Sequence, residues 1–151
     1  MSVRILYAFL VVATATAAQA QSNPLLGRWQ ITTAVVAPWI SADKIHTIKE
    51  DQVRRFVKQQ ITFEAKAVKS PDPLLDCKDP RYEPTTIPPQ GLFQGNLPQP
   101  QAETAKLLGL PAGNVPGIDV ACSNGRFSYH LRDKDTALFA LDNVIYTLKR
   151  R

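Results

Sequence analysis

Apolar and polar residues alternate along several stretches of this chain. From Gly27 to Val36, Trp29, Ile31, Thr33 and Val35 fall on one side and Arg28, Gln30 and Thr32 on the other. A period of two is that of a half-buried antiparallel strand, and Pro38 stops it because proline cannot continue a central ladder. From Gln60 to Val68 the alternation returns, with Ile61, Phe63, Ala65 and Ala67 inward and Thr62, Glu64 and Lys66 outward. The last third is the most regular. Ile118, Val120 and Cys122 alternate up to Ser123-Asn124-Gly125, and Phe127, Tyr129 and Leu131 alternate up to Asp133-Lys134-Asp135. Thr136 to Leu141 and Val144 to Arg150 follow, joined through Asp142-Asn143. Asn-Gly between alternating runs is a strong hairpin signal. The pattern predicts a four-stranded antiparallel meander here.

Between these runs the period changes. Ser41 to Lys58 carries Ile45, Ile48, Val53, Phe56 and Val57 at mixed spacing without Gly or Pro, which predicts one or two helical turns. Residues 71–100 hold eight of the twelve prolines, so no regular helix or central strand runs through them. They also hold Leu74, Leu75, Tyr82, Ile87, Leu92, Phe93 and Leu97, more large apolar groups than a disordered linker carries. An ordered, folded-over connection is expected, with short strands at Arg81-Tyr82-Glu83 and Gly91 to Asn96. Gln101 to Leu108 is a helix with Gly109 at its C-cap position. The fold class is mainly β: one antiparallel barrel or strongly curved meander with one or two short helices.

The first residues have a different use. Met1-Ser2-Val3-Arg4 is a basic lead, Ile5 to Val12 an apolar stretch, and Ala18-Gln19-Ala20 a small-x-small cleavage site. This order reads as a secretory signal peptide over residues 1–20, leaving 21–151 as one secreted domain in the periplasm or outside the cell. The apolar stretch is short for a bilayer span, so no stable membrane anchor is expected after cleavage. The chain of 151 residues has a formal charge of +5, and cleavage removes one Arg and no acid to leave +4. Without a dense Lys/Arg block interleaved with aromatics, no nucleic-acid partner is expected. Export also decides the cysteines. Cys77 and Cys122, the only two, are expected to form a disulfide, with a closed loop worth at most about 4 kcal/mol in the chain-entropy model.

Gly27-Arg28-Trp29 near the start of the domain and the basic end Tyr146-Thr147-Leu148-Lys149-Arg150 resemble the terminal signature of the calycin group, the lipocalin-like and fatty-acid-binding-like small barrels. The resemblance implies that Arg150 packs over Trp29 to close one barrel end, and that the interior holds an apolar ligand.

Chemistry-bearing residues are sparse. Asp43, His46 and Glu50 stand three and four apart, a spacing open to a metal if one helix carried them, but more simply a solvated charged face. Asp76, Asp79 and Glu83 gather in the connection without a paired-carboxylate pattern. No nucleophile motif appears, and neither catalytic residues, metal ligands nor cofactors are assigned. Candidate contacts for a partner or ligand are Trp39, in a loop after Pro38, and the row Arg126, His130 and Arg132 on the outward face of one strand, suited to an acidic group or anion. The reading that results is an exported, non-enzymatic binding protein of the cell envelope, an inhibitor or immunity-type partner of an envelope enzyme. The alternative is a carrier of a small apolar ligand.

Overall fold

The alternating stretches become strands of one sheet. The structure, a computed structural model, describes residues 23–151; residues 1–20, where a signal peptide is expected, lie outside the described residues. The strands are β1 (Gly27–Val36), β2 (Gln60–Glu64), β3 (Ala67–Lys69), β4 (Cys77–Lys78), β5 (Arg81–Ile87), β6 (Val115–Cys122), β7 (Gly125–Asp133), β8 (Thr136–Leu141) and β9 (Val144–Arg150). They lie in the order β4-β3-β2-β1-β9-β8-β7-β6-β5, with every pairing antiparallel. The sheet curls into a half-barrel. Two short helices, α1 (Glu50–Phe56) and α2 (Gln101–Leu107), and 3-10 turns at Ala42–Thr47 and Pro89–Gly95 complete it. Asp43 and Glu50 therefore sit on different helical turns, not on one helix face.

Three expectations fail where the backbone breaks its period. A bulge between Ile31 and Thr33 puts Thr32 out of register, so Ala34, opposite Tyr146, takes the inner face. Val35 turns outward and is 48% exposed. An inserted residue reverses the facing of everything after it. The run from Gln60 to Val68 is a hairpin, not one strand. Phe63 opposes Val68 and Glu64 opposes Ala67, with Ala65 and Lys66 forming the turn. Val68 is thus the buried residue, and no Gly, Asn or Pro announced the turn. Gly91 to Asn96 is no strand either: two short turns meet at a kink where Phe93 and Gln94 are left-handed. The strand foreseen at Arg81–Glu83 extends to Ile87 through Pro84, which an edge position tolerates.

Side chains fill the inside of the curl. A run of rings crosses it: Phe63 to Tyr129 at 5.0 Å, Tyr129 to Phe139 at 5.4 Å, Phe139 to Tyr146 at 5.2 Å, and Tyr146 to Phe56 of α1 at 5.3 Å. Such ring pairs add about 0.5–1.5 kcal/mol each beyond area burial. Trp29, Ile31, Ile61, Ile118 and Leu148 pack around them. The proline-rich connection lies across the outer face of the sheet. Leu92, Phe93, Leu97, Ala105 and Leu110 bury a second core against Val115, Leu138 and Ile145. This explains how β8 keeps Leu138 and Phe139 both buried on opposite faces.

Trp29 and Arg150 stand opposite each other where β1 pairs with β9. Arg150 Cζ lies 4.3 Å from the centroid of the fully buried Trp29 ring. The guanidinium donates to the carbonyls of Leu26 (2.9 Å) and Pro24 and pairs with Asp135 at 3.3 Å, while Trp29 Nε1 donates to Leu25 O at 2.7 Å. Gly27 has φ +122°, and a Cβ there would stand 3.2 Å from the Arg150 guanidinium. Both facts favour glycine. Cys77 of the edge strand β4 and Cys122 of β6, which neighbours the other edge strand β5, are bonded, with Cα atoms 5.6 Å apart. Tyr82 Oη of β5 donates to Glu64 O of β2 at 2.7 Å across the same seam.

Two stability results follow. Replacing both cysteines by serine is expected to lower unfolding free energy by about 2–4 kcal/mol, read by denaturant melts, and reductant should lower the wild-type midpoint likewise. Trp29→Ala is expected to remove about 3–5 kcal/mol. Trp39→Ala should remove less than half of that, because its ring is only partly buried. Equal losses would contradict the placement of the two rings.

Candidate functional site

A recess of about 270 Å³ opens on the outer surface beside the β8–β9 turn. Its walls are Trp39 from the loop after β1, Phe93 and Gln94 from the connection, Ser128 and His130 from β7, and Asn143 from the turn. Trp39 and Phe93 face each other at 5.7 Å, tilted by 43°. Trp39 Nε1 donates to Asn143 Oδ1 at 3.1 Å, which ties the loop to the turn. The recess thus brings Trp39, Arg126 and His130 together.

The backbone around it is unusual. Phe93 has φ +50° and Gln94 φ +62°, a conformation that a bulky side chain rarely adopts. Surrounding contacts hold it. Phe93 N–H donates to His130 Nε2 at 3.2 Å, Asn96 Nδ2 donates to Phe93 O at 2.7 Å, and the Phe93 ring meets the His130 ring edge-on at 4.5 Å. Strain kept in place by neighbours points to a site whose shape matters. Asp142 and Asn143 are also left-handed, at +49° and +64°, as a two-residue hairpin turn requires.

His130 corrects the expectation of an exposed row. Its side chain does leave the inner face, as parity demands, but the connection covers it and leaves it 1% exposed. Burial pulls its pKa down to about 4, with the charge of Asp119 acting in the opposite direction. The imidazole is neutral at neutral pH. Because Nε2 accepts from Phe93, the proton sits on Nδ1, which is buried and has no hydrogen-bond partner among the described residues.

The arginines correct the expected anion site. Arg126 Nη1 donates to Glu83 Oε2 at 2.6 Å and to Asp119 Oδ2 at 3.2 Å, so two carboxylates already face its one charge. Arg132 stands apart from the recess and donates to Leu108 O at the end of α2. Gly109, at φ +73°, leaves the space for it: a Cβ would fall 2.8 Å from the Arg132 guanidinium. Arg132 staples the connection and does not line the recess. The sequence reading missed Phe93, Asn143, Glu83 and Asp119 as neighbours of the row. Ser128 carries the one local sequence signal among the lining residues, since it shares strand parity with Arg126 and His130.

A second surface adjoins the same end. Val35, Val36, Ile45, Ile48, Val53 and Val144 line an apolar groove of about 300 Å³. Val35 and Ile45 are each about half exposed. Gln52 Nε2 of α1 donates to Asp142 Oδ2 at 3.1 Å, joining the groove's helix to the turn that borders the recess. Among the described residues no group of three or more His, Cys, Asp or Glu side chains is arranged to hold a metal ion, and no helix is long and apolar enough to cross a membrane.

No protein-family model, curated protein or solved structure matches this chain.

The buried imidazole sets a pH dependence. Its folded pKa lies below the ordinary value of 6.5, so between the two the unfolded chain binds the extra proton. The stabilisation is present above pH 6.5 and is lost as pH falls toward 4. Denaturant melts at pH 7 and pH 5 should differ by about 2 kcal/mol from this group. His130→Gln should flatten that difference. An unchanged slope in the variant would mean that His130 is not the group responsible.

Proposed function

We propose that this chain is an exported, non-enzymatic binding protein that engages a protein partner in the cell envelope, in the manner of an inhibitor or immunity factor. The observation that carries the reading is where the space lies. Aromatic and aliphatic side chains pack the inside of the curled sheet, while the recess at Trp39 and the groove at Val35 and Ile45 open side by side at one end. The exposed apolar groove at Val35 and Ile45, on a rigid scaffold, suits macromolecular contact. The disulfide supports an oxidising compartment and so export. His130 supports a non-catalytic role, since its Nε2 is occupied by a backbone N–H and its ring is packed against Phe93.

The closure of Arg150 over Trp29 beside Gly27 supports a calycin-type kinship and, with it, the alternative of a carrier for a small apolar ligand. The filled interior weighs against that alternative, because a carrier needs a hollow where Phe63, Tyr129, Phe139 and Tyr146 stand.

The test is capture from the envelope fraction of the producing cells, with native mass spectrometry on the eluate. Wild-type protein is expected to retain one protein at fixed stoichiometry, and Val35→Asp and Trp39→Asp to lose it while remaining folded. Retention of a small apolar molecule in place of a protein would contradict this and favour the carrier. A protein captured equally by wild type and both variants would place binding elsewhere.

A further inference from the structure

The connection over the outer face is attached like a flap. It leaves the sheet after Ile87 and returns at Val115, and these two residues are partners in the β5–β6 ladder. Among the described residues, nothing between them pairs with a strand. Residues 88–114 can therefore swing away without breaking a rung of the sheet. Their buried side chains belong to the second core, which is separate from the aromatic run inside the curl. Segments that detach without breaking a ladder are those that open at less than the free energy of global unfolding.

The flap is held at its sharpest bend by one imidazole. Phe93 N–H donates to His130 Nε2 at 3.2 Å, and the Phe93 ring stands edge-on to the same imidazole at 4.5 Å. Phe93 and Gln94 are both left-handed, so the bend persists only while its neighbours hold it. The other anchors on the sheet are the Arg132 guanidinium on Leu108 O and apolar packing. A second proton on His130 would sit on Nε2, where Phe93 N–H already points. That bond would be lost, and a cation would be buried with neither ring nitrogen facing an acceptor.

The charged groups around the ring are Asp119 of β6, Glu83 of β5, Arg126 and Arg132 of β7 and Asp142 of the β8–β9 turn. β8 sets Leu138 opposite it, the bend at Pro89–Gly95 carries no charge, and Glu103 and Lys106 of α2 are exposed. The Asp119 charge favours the proton, and burial outweighs it. We propose that His130 is a proton-operated latch: protonation releases Phe93, and residues 88–114 lift off as a flap while the sheet stays folded. Lifting removes Phe93 and Gln94, two walls of the recess, and uncovers Val115, Leu138 and Ile145. Acidification thus shifts the chain toward a form without the recess. The latch is a property of this chain alone and stands or falls independently of the partner reading.

The test is amide hydrogen exchange on the full chain at pH 7 and pH 5, corrected for the intrinsic effect of pH, in wild type and His130→Gln. The Gln side chain keeps an oxygen to accept from Phe93 and takes up no proton in this range. With the closed imidazole at about 4 against an ordinary 6.5, amides of the connection are expected to open about twentyfold more often at pH 5 than at pH 7. At both pH values they should open at least about a hundredfold more often than amides of β1 and β9, because the sheet stays folded. In His130→Gln the rise should fall below about threefold. The surrounding carboxylates are the same in both proteins, so a rise caused by them would survive the substitution. Equal opening of the connection and of β1 and β9 would overturn the proposal, since the connection would then leave only when the sheet unfolds. So would the absence of a rise in the wild type, or the same rise in His130→Gln. The first two of these outcomes are read on the wild type alone and decide the matter even where the variant does not fold.

Discussion

Two residues, Asp79 and Pro80, join strands that lie at opposite edges of the sheet. Lys78 closes β4 and Arg81 opens β5, so their Cα atoms stand at most about 11 Å apart. A flat sheet of nine strands would hold its edges several times farther apart, at nearly 5 Å per strand. The sheet must therefore curl until its edge strands stand near each other at this connection. The Cys77–Cys122 bond fixes the meeting point, and the Tyr82–Glu64 hydrogen bond lies beside it. Nothing in the ladder itself supplies this closure, since β4 and β5 are not paired with each other.

The rest of the architecture is arranged by that curl. Side chains fill the inside of the curl, and the aromatic run from Phe63 to Phe56 crosses it. Arg150 lies over the Trp29 ring, and α1 places Phe56 on Tyr146. With the inside filled, the outer face of β6 to β9 is where the long connection finds apolar surface to bury. It lies there as a strap held by His130 to Phe93 and by Arg132 to Leu108. The recess is a product of this layering, formed where strap, β7 and the β8–β9 turn fail to meet completely.

What could be read from the sequence was local. Alternation located β1 and β6 to β9, because side-chain facing is fixed by a period of two. The cysteine pair needed only its number and the expectation of an oxidising compartment. The bulge at Thr32 and the turn at Ala65-Lys66 were hidden because their residues carry no turn chemistry. The candidate site was legible only in outline. Trp39, Arg126 and His130 do converge, yet the burial of His130 comes from Phe93, 37 residues away. Likewise Arg126 loses its free charge to Glu83, 43 residues away. Strand parity reports which side a residue takes but not what covers that side, and here the cover leaves His130 buried against Phe93.

The dependence of the curl on its seam is most directly tested by amide hydrogen exchange, comparing the oxidised chain with the Cys77→Ser/Cys122→Ser variant under conditions where both remain folded. Protection is predicted to fall first and furthest in β3 to β6, which flank the seam, while β1, β8 and β9 keep theirs. Protection lost evenly over the sheet, or lost first in β8 and β9, would contradict a fold that is held closed at that edge.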